Sequence, residues 1–381
     1  MVRIMQNRRI MVAGHVALDI TPTFPRSYKA SLSDIAKPGN LVTVGEVEFS
    51  VGGCVSNSGL ALHKFGADTM LVSKIGSDNF GKILIEKYRE MGAEPRFIED
   101  AAERTSYTIV IAPPDSDRCF LHDPAANHSF VERDISDALM REAAYFHFGY
   151  PPLMQRFYEN NAAELRALLK RAKSHGLVTS LDMATIDPEG AAAETDWERA
   201  LAKTLPFVDF FLPSIEELCF MLDRERYAQW KKRAAGQDVC ELLSLEEDVK
   251  PLARKALSLG CRAVLVKCGV AGLYLYTGDE EAMLQISTHF DGRGWGNLAI
   301  FQDSFVPKTE ILSTVGAGDT SIAAFLYSLM QGFAPAECVA IASATGACCT
   351  TCYDTLSGLL PIETVRQHIG EGWEKRCVIR P

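Results

Sequence analysis

The segment Thr314-Val315-Gly316-Ala317-Gly318-Asp319-Thr320 sets glycines and a carboxylate side by side, between a strand-like stretch, Phe305–Leu312, and an apolar stretch from about Thr320 that reads as a helix. Glycines let the backbone fold tightly and aim successive N–H groups at one point. That point is a helix N-terminus, where the dipole favours an anion. Such a nest suits a phosphoryl group in transfer, with Gly316, Ala317 and Gly318 as the anion hole and Asp319 placed to take the proton of an attacking hydroxyl. The same residues also read as a glycine turn capped by Asp319.

Other loops carry candidate chemistry. Leu212-Pro213-Ser214-Ile215-Glu216-Glu217-Leu218 follows a strand and opens a helix, with Ser214 as N-cap and Glu217 at the third helical position, a capping box. Lys267-Cys268-Gly269-Val270-Ala271-Gly272 joins two apolar strands, and Asp182 ends another. Cys349-Thr350-Thr351-Cys352 is a lone CxxC, which without a second pair reads as core and loop thiols rather than a zinc site.

The elements that must position these loops alternate. Ile10–Ala13, Thr69–Ile75, Tyr145–Phe148, Leu177–Asp182, Val208–Leu212 and Ala263–Lys267 read as strands. Between them lie helices over about Ser56–Phe65, Asp78–Met91 (Asp78 as N-cap), Glu159–His175 and Val249–Leu259. The last third is helical: Thr320–Gln331, Ala336–Ala347 and Ile362–His368. Alternation of this kind predicts a mostly parallel sheet covered on both faces. Two stretches break it. Ile20–Phe24 with Leu41–Phe49, and Thr105–Ala112 with Arg118–His122 around Pro113-Pro114-Asp115, are strand-like segments without partner helices. They predict a small β lid over residues 18–50 and 104–123, beside a main domain of residues 1–17, 51–103 and 124–381. Asp223–Glu247 is charged and reads as an irregular surface insertion.

Composition narrows the partners. The net charge is -10 and there is no basic run, which argues against nucleic acid. The stretch after Arg3, Arg8 and Arg9 is broken by Gly14, His15 and Asp19, too short for a signal peptide, and no run approaches a membrane span. Eleven cysteines without framework spacing predict reduced thiols and a cytoplasmic setting.

Gly316-Ala317-Gly318-Asp319 resembles the carboxy-terminal signature of the ribokinase-like (PfkB) carbohydrate kinases, with Ser313 where that signature begins with Asp. Gly52-Gly53-Cys54-Val55-Ser56-Asn57, Phe65-Gly66 and Lys74-Ile75-Gly76-Ser77-Asp78-Asn79-Phe80-Gly81 are similar to its amino-terminal signature. Gly14 to Asp19 is similar to its opening strand. The motifs keep the family order from about Ile10 to Leu360. The resemblance implies a three-layer α/β/α sandwich with a β lid, ATP as phosphoryl donor, Mg²⁺, and a sugar-like acceptor. It implies that Asp319 is the catalytic base and that Asp19, Gly53 and Asn57 hold sugar hydroxyls. Glu217 matches a glutamate that supports Mg²⁺, a role compatible with capping because a capping carboxylate can also face a metal-bound water. Ser214 replaces an Asn in that segment. Lys267, Gly269 and Gly272 match a nucleotide-side loop, with Lys267 in place of a small polar residue. His122-Asp123-Pro124-Ala125-Ala126-Asn127 resembles a Pro-Gly-Ala-Asn segment and is mainly structural. A lid sheet with an open face also implies a homodimer through the lid.

Rival readings lack their motifs. No GxGxxG follows the first strand, and no GxxxxGK[ST] is present. The alternative from another class is a non-catalytic sugar- or nucleotide-binding regulator on the same fold, motivated by Ser313 and Ser214.

Overall fold

The computed structural model describes residues 8–25, 27–29, 31–114 and 118–378; Arg3 and Asp115, used above, lie outside them. Its strands in chain order are β1 (Ile10–Gly14), β2 (Ala17–Pro22), β3 (Val47–Gly52), β4 (Thr69–Val72), β5 (Lys74–Gly76), β6 (Ile98–Asp100), β7 (Tyr107–Ile111), β8 (Cys119–Asp123), β9 (Tyr145–Gly149), β10 (Val178–Leu181), β11 (Phe210–Phe211), β12 (Ala263–Lys267), β13 (Gly272–Thr277) and β14 (Ala299–Asp303). The main sheet runs β14-β13-β12-β11-β10-β9-β1-β4. Pairs from β4 to β12 are parallel, and β13 and β14 join antiparallel.

Period-2 alternation along the strands splits the core into two layers. Phe146, Phe148 and Leu181 face one side, where they meet Leu165 and Leu169 of the helix Gln155–Ser174 and Trp197 of the helix Trp197–Thr204. Tyr145, Val178 and Phe210 face the other, against the helices Cys54–Lys64, Ala317–Gln331 and Pro335–Cys349. The result is a three-layer α/β/α sandwich. A separate four-stranded sheet, β3-β2-β7-β8, stands apart from it. Asn127 ties this sheet's root to the main body, accepting from the Val16 N–H at 3.2 Å and donating to the Val16 carbonyl at 2.8 Å.

Three sequence expectations fail here. The strand Thr69–Ile75 breaks at Ser73, whose hydroxyl donates to the Gly14 carbonyl at 2.6 Å; β5 then leaves the main sheet to pair with β6. Phe305–Leu312 is not a strand. The strand lies earlier, at β14, and Phe305 makes only an isolated bridge to Lys375 before Pro307 removes a ladder donor. Asp223–Glu247 is not an irregular surface insertion. It contains the helix Arg224–Ala234, and Trp230, Ala234, Val239, Cys240 and Leu243 are buried in the core. Its charged residues hid a sparse apolar stripe.

Candidate active site

Parallel strands deliver their following residues to one edge of the sheet. Tyr150 follows β9, Asp182 follows β10, Ser214 lies just past β11, and Lys267 ends β12. These residues, with Glu217, Gly269, Gly272, Ala317, Gly318 and Asp319, line a cavity of about 650 Å³, a volume typical of small-molecule sites. The sheet edge therefore brings together most of the sequence-predicted nucleotide-side residues. Gly316 is packed against Thr355 instead. Asp19, Gly53 and Asn57 lie outside this cavity's lining.

The nest is built by its backbone. Gly316 has φ 78, and a Cβ there would stand 1.9 Å from Thr355 Cγ2, so only glycine fits. The helix Ala317–Gln331 starts directly after it. The Ala317 N–H turns back to the Thr314 carbonyl at 3.3 Å. That leaves the first-turn N–H groups of Gly318 and Asp319 for an external acceptor. Lys267 lies alongside: a Cβ at Gly318 would meet its Cδ and Cε at 3.5 Å. A cation and a helix N-terminus thus act on one spot.

Asp319 is buried and held from several sides. Asn57 Nδ2 donates to Oδ2 at 3.0 Å. Ser58 Oγ donates to the Asp319 carbonyl at 3.2 Å. The Tyr150 hydroxyl stands 2.7 Å from each carboxylate oxygen. Burial raises the carboxyl above its ordinary range, against the pull of Tyr150, Lys267 and Asn57. Lys267 pairs with Asp182 at 2.6 Å. Burial also raises Asp182, with Lys267 opposing it. Burial alone would lower Lys267, but Asp182, Glu217 and Asp319 together hold it above its ordinary value. With three carboxylates around one ammonium, the site favours added positive charge.

That donor set suits Mg²⁺, which binds through one or two carboxylates and retained waters. Glu217 completes the expected capping box: its Oε2 accepts from the Ser214 N–H at 2.7 Å, and the Ser214 hydroxyl accepts from the Glu217 N–H at 3.2 Å. Its second oxygen would be the one to face a metal-bound water. Among the described residues the acidic and thiol side chains close enough together to hold a metal ion are different ones, Glu216, Asp238 and Cys240, and Glu216 is already paired with Lys231 at 2.7 Å.

The third predicted group sits at the root of the four-stranded sheet. Gly53, φ 88, caps the helix Cys54–Lys64, and a Cβ there would stand 2.6 Å from both the His15 carbonyl and Nδ1. Asn57, one turn on, contacts Asp319 directly. Asp19 on β2 is pushed to about 6 by burial, with Thr108 pulling the other way. Thr108 Oγ1 lies 3.1 Å from His122 Nδ1, and His122 Nε2 lies 3.1 Å from His15 Nε2. Burial lowers both imidazoles, so the pair is neutral and one ring hands the other a hydrogen bond.

Sequence reasoning missed Tyr150, Ser58, His15 and His122. Tyr150 could have been found as the first polar residue after an apolar strand pointed at the nest. The histidines carry no local pattern, because the β1–β2 connection and the distant strand β8 bring them together.

The profile of the pfkB family of carbohydrate kinases matches residues 8–362. An uncharacterised sugar kinase of Archaeoglobus fulgidus is 24% identical over 79% of this chain and 98% of its own length. Fructokinase-2 of Zea mays is 24% identical over 96% of this chain and 95% of its own. The crystal structure of Arabidopsis thaliana ribokinase complexed with ribose and ATP superposes with a TM-score of 0.66 at 20% identity, covering 95% of this chain and 98% of that one, a likeness of fold. The sandwich, the nest-and-carboxylate loop and the family match over nearly the whole chain agree: this chain belongs to the pfkB family of carbohydrate kinases.

Proposed function

We propose that the chain transfers the γ-phosphoryl group of ATP to a hydroxyl of a sugar or sugar-like molecule. One observation carries this reading. The Asp319 carboxylate lies in the first turn of the helix whose free N–H groups and neighbouring Lys267 form an anion nest. In the forward step the acceptor hydroxyl attacks phosphorus in line, its proton passes to Asp319, and ADP leaves. The Gly316–Gly318 backbone and Lys267 hold the charge that builds on the phosphoryl oxygens. Ser214, Gly269 and Gly272 border the rest of the nucleotide. Asp19, Gly53 and Asn57 hold the sugar, with Asn57 linking sugar and base. Mg²⁺, when bound, neutralises the phosphates, and Glu217 would hold it through water. The sheet β3-β2-β7-β8 is the lid that excludes water. Its Val47, Phe49, Phe120 and Leu121 are exposed, which supports a homodimer through the lid; sedimentation showing a monomer at micromolar concentration would reject that. Eleven free cysteines favour a reducing cytoplasm, which cell fractionation tests.

Incubating the protein with MgATP and a panel that includes fructose and ribose, and reading products by mass, tests the activity. The rival reading, a sensor without catalysis, rests on Ser313 and Ser214. It wins if a compound binds alongside ATP yet never acquires phosphate, while Ser313→Asp restores transfer. The expected result is transfer by the unmodified chain, with Ser313→Asp altering rate or metal dependence only.

A further inference from the structure

Tyr150 has no part in the reaction just described, yet it makes the shortest polar contact to the base. Its hydroxyl is 2.7 Å from Oδ1 and 2.7 Å from Oδ2 of Asp319. An O–H equidistant from both oxygens stands between them, across the mouth of the carboxylate. Asn57 takes Oδ2 at 3.0 Å, and Ser58 Oγ approaches Oδ1 at 3.5 Å. Tyr150 and Asp319 both line the cavity, so the phenol covers the approach that an acceptor hydroxyl would use.

The backbone fixes this placement. Tyr150 has φ 64 and ψ 39, the left-handed region that bulky residues avoid, and Pro151 follows it. The preceding Gly149 is packed so closely that a Cβ there would stand 1.9 Å from Cys54 Sγ. A strained residue held on both sides persists where the surroundings over-determine it, and such residues cluster at functional sites. Burial also raises the phenol, which keeps it protonated and a donor.

We propose that Tyr150 is a surrogate acceptor: its O–H occupies the place on Asp319 that the substrate's reacting hydroxyl must take, and withholds the base from water until a sugar displaces it. This rests on the reading of Asp319 as base. It makes Tyr150 a determinant of both specificity and coupling. A ligand opens the site only by offering an O–H that replaces the phenol's hydrogen bond.

Tyr150→Phe keeps the ring and removes the hydroxyl. ADP release from MgATP without sugar should rise at least about tenfold, since a general base freed toward water is worth roughly 10²–10⁴. The KM of a sugar that the wild type phosphorylates should fall by about tenfold, one competing hydrogen bond's worth. A residue that only orients Asp319 gives the opposite pattern: lower kcat at unchanged KM, with sugar-independent ADP release not raised. That result overturns the proposal. A measurement on the intact wild type guards against a variant that misfolds. Sugar binding should perturb the tyrosine ultraviolet difference spectrum as a phenol leaves a carboxylate, and a spectrum without that perturbation also overturns it. Failure of the kinase reading is distinguishable, because the wild type then forms no sugar phosphate with any panel member, and the proposal falls with it.

Discussion

Asp319→Asn should separate chemistry from architecture. The amide can be seated without a clash: its oxygen takes the Oδ2 position, accepting from Asn57 at 3.0 Å and from Tyr150, and its NH₂ faces the Ser58 hydroxyl near 3.5 Å, which can accept. Lys267 keeps Asp182 at 2.6 Å. The fold and the nucleotide cavity therefore persist, and MgATP affinity by calorimetry should stay close to wild type. On the proposed role the lost function is proton acceptance, so kcat should fall by roughly 10²–10⁴, or about 2.7–5.4 kcal/mol of barrier at 1.36 kcal/mol per tenfold. Stability should move the other way. Asp319 has a folded-state pKa raised by burial, so folding penalises its ionised form. That penalty is absent below the unfolded carboxylate pKa and fully present above the folded one. A neutral amide removes it, so Tm should rise at pH 7 and the gain should vanish as pH falls through the ordinary carboxylate range. The assays are ADP release at saturating sugar and thermal unfolding at pH 7 and at the acid end of the ordinary carboxylate range. Turnover near wild type would remove Asp319 from the mechanism. Equal losses of turnover and ATP binding would make it a structural residue.

Two further outcomes follow from charges the site holds. Lys267→Met strands buried Asp182 and should destabilise the protein by about 3–5 kcal/mol, with Asp182→Asn in the same chain restoring much of it; a denaturant double-mutant cycle showing additive losses would dissolve the pair. Asp19→Asn should raise the sugar KM far more than that of ATP, by a loss of about 1–3 kcal/mol, which steady-state kinetics reads; equal effects on both substrates would take Asp19 out of the sugar site. Asp19 rises from 3.8 to about 6 on folding, so its ionisation costs stability above pH 6 and nothing below pH 3.8. The Tm advantage of Asp19→Asn should therefore grow between those pH values toward an equivalent of about 3 kcal/mol. A pH-independent difference would contradict the burial of that carboxylate.

The parts of the fold legible in the sequence were those with strong period. The apolar run at Ala263–Lys267 is a strand over the range expected, and Asp78 caps its helix by accepting from the Gly81 N–H at 2.9 Å. The capping box at Ser214 and Glu217 and the helix after Gly316 were equally readable, because each depends on residues a few positions apart. What failed depends on distant chain. Pro307 is the local warning against a strand over Phe305–Leu312, but nothing local says that the segment would be drawn into a loop where Leu312 and Ser313 both donate to the Thr350 carbonyl. Nor does anything local say that Trp230 would be buried through a hydrogen bond to Asp248 at 3.1 Å. The site shows the same division. The loops that meet at the cavity were visible, while the Tyr150 contact to Asp319 and the His15–His122 pair join residues far apart in sequence.

The two departures from the family pattern that motivate the sensor reading, Ser214 and Ser313, lose their weight against catalysis once their surroundings are considered. Ser214 caps its helix and closes both halves of the box with Glu217, a task serine performs about as well as asparagine. Ser313 accepts from the Val315 N–H at 3.2 Å and so shapes the turn into the nest. An aspartate there could make the same bond, and the turn does not need its charge. The neighbouring cavity already gathers Asp182, Glu217 and Asp319 around Lys267. Another carboxylate would add repulsion toward the phosphoryl oxygens unless a further cation came with it. Serine at this position is therefore compatible with phosphoryl transfer. What it changes is the positive charge the site requires, which is why metal dependence, more than the presence of activity, should respond to Ser313→Asp.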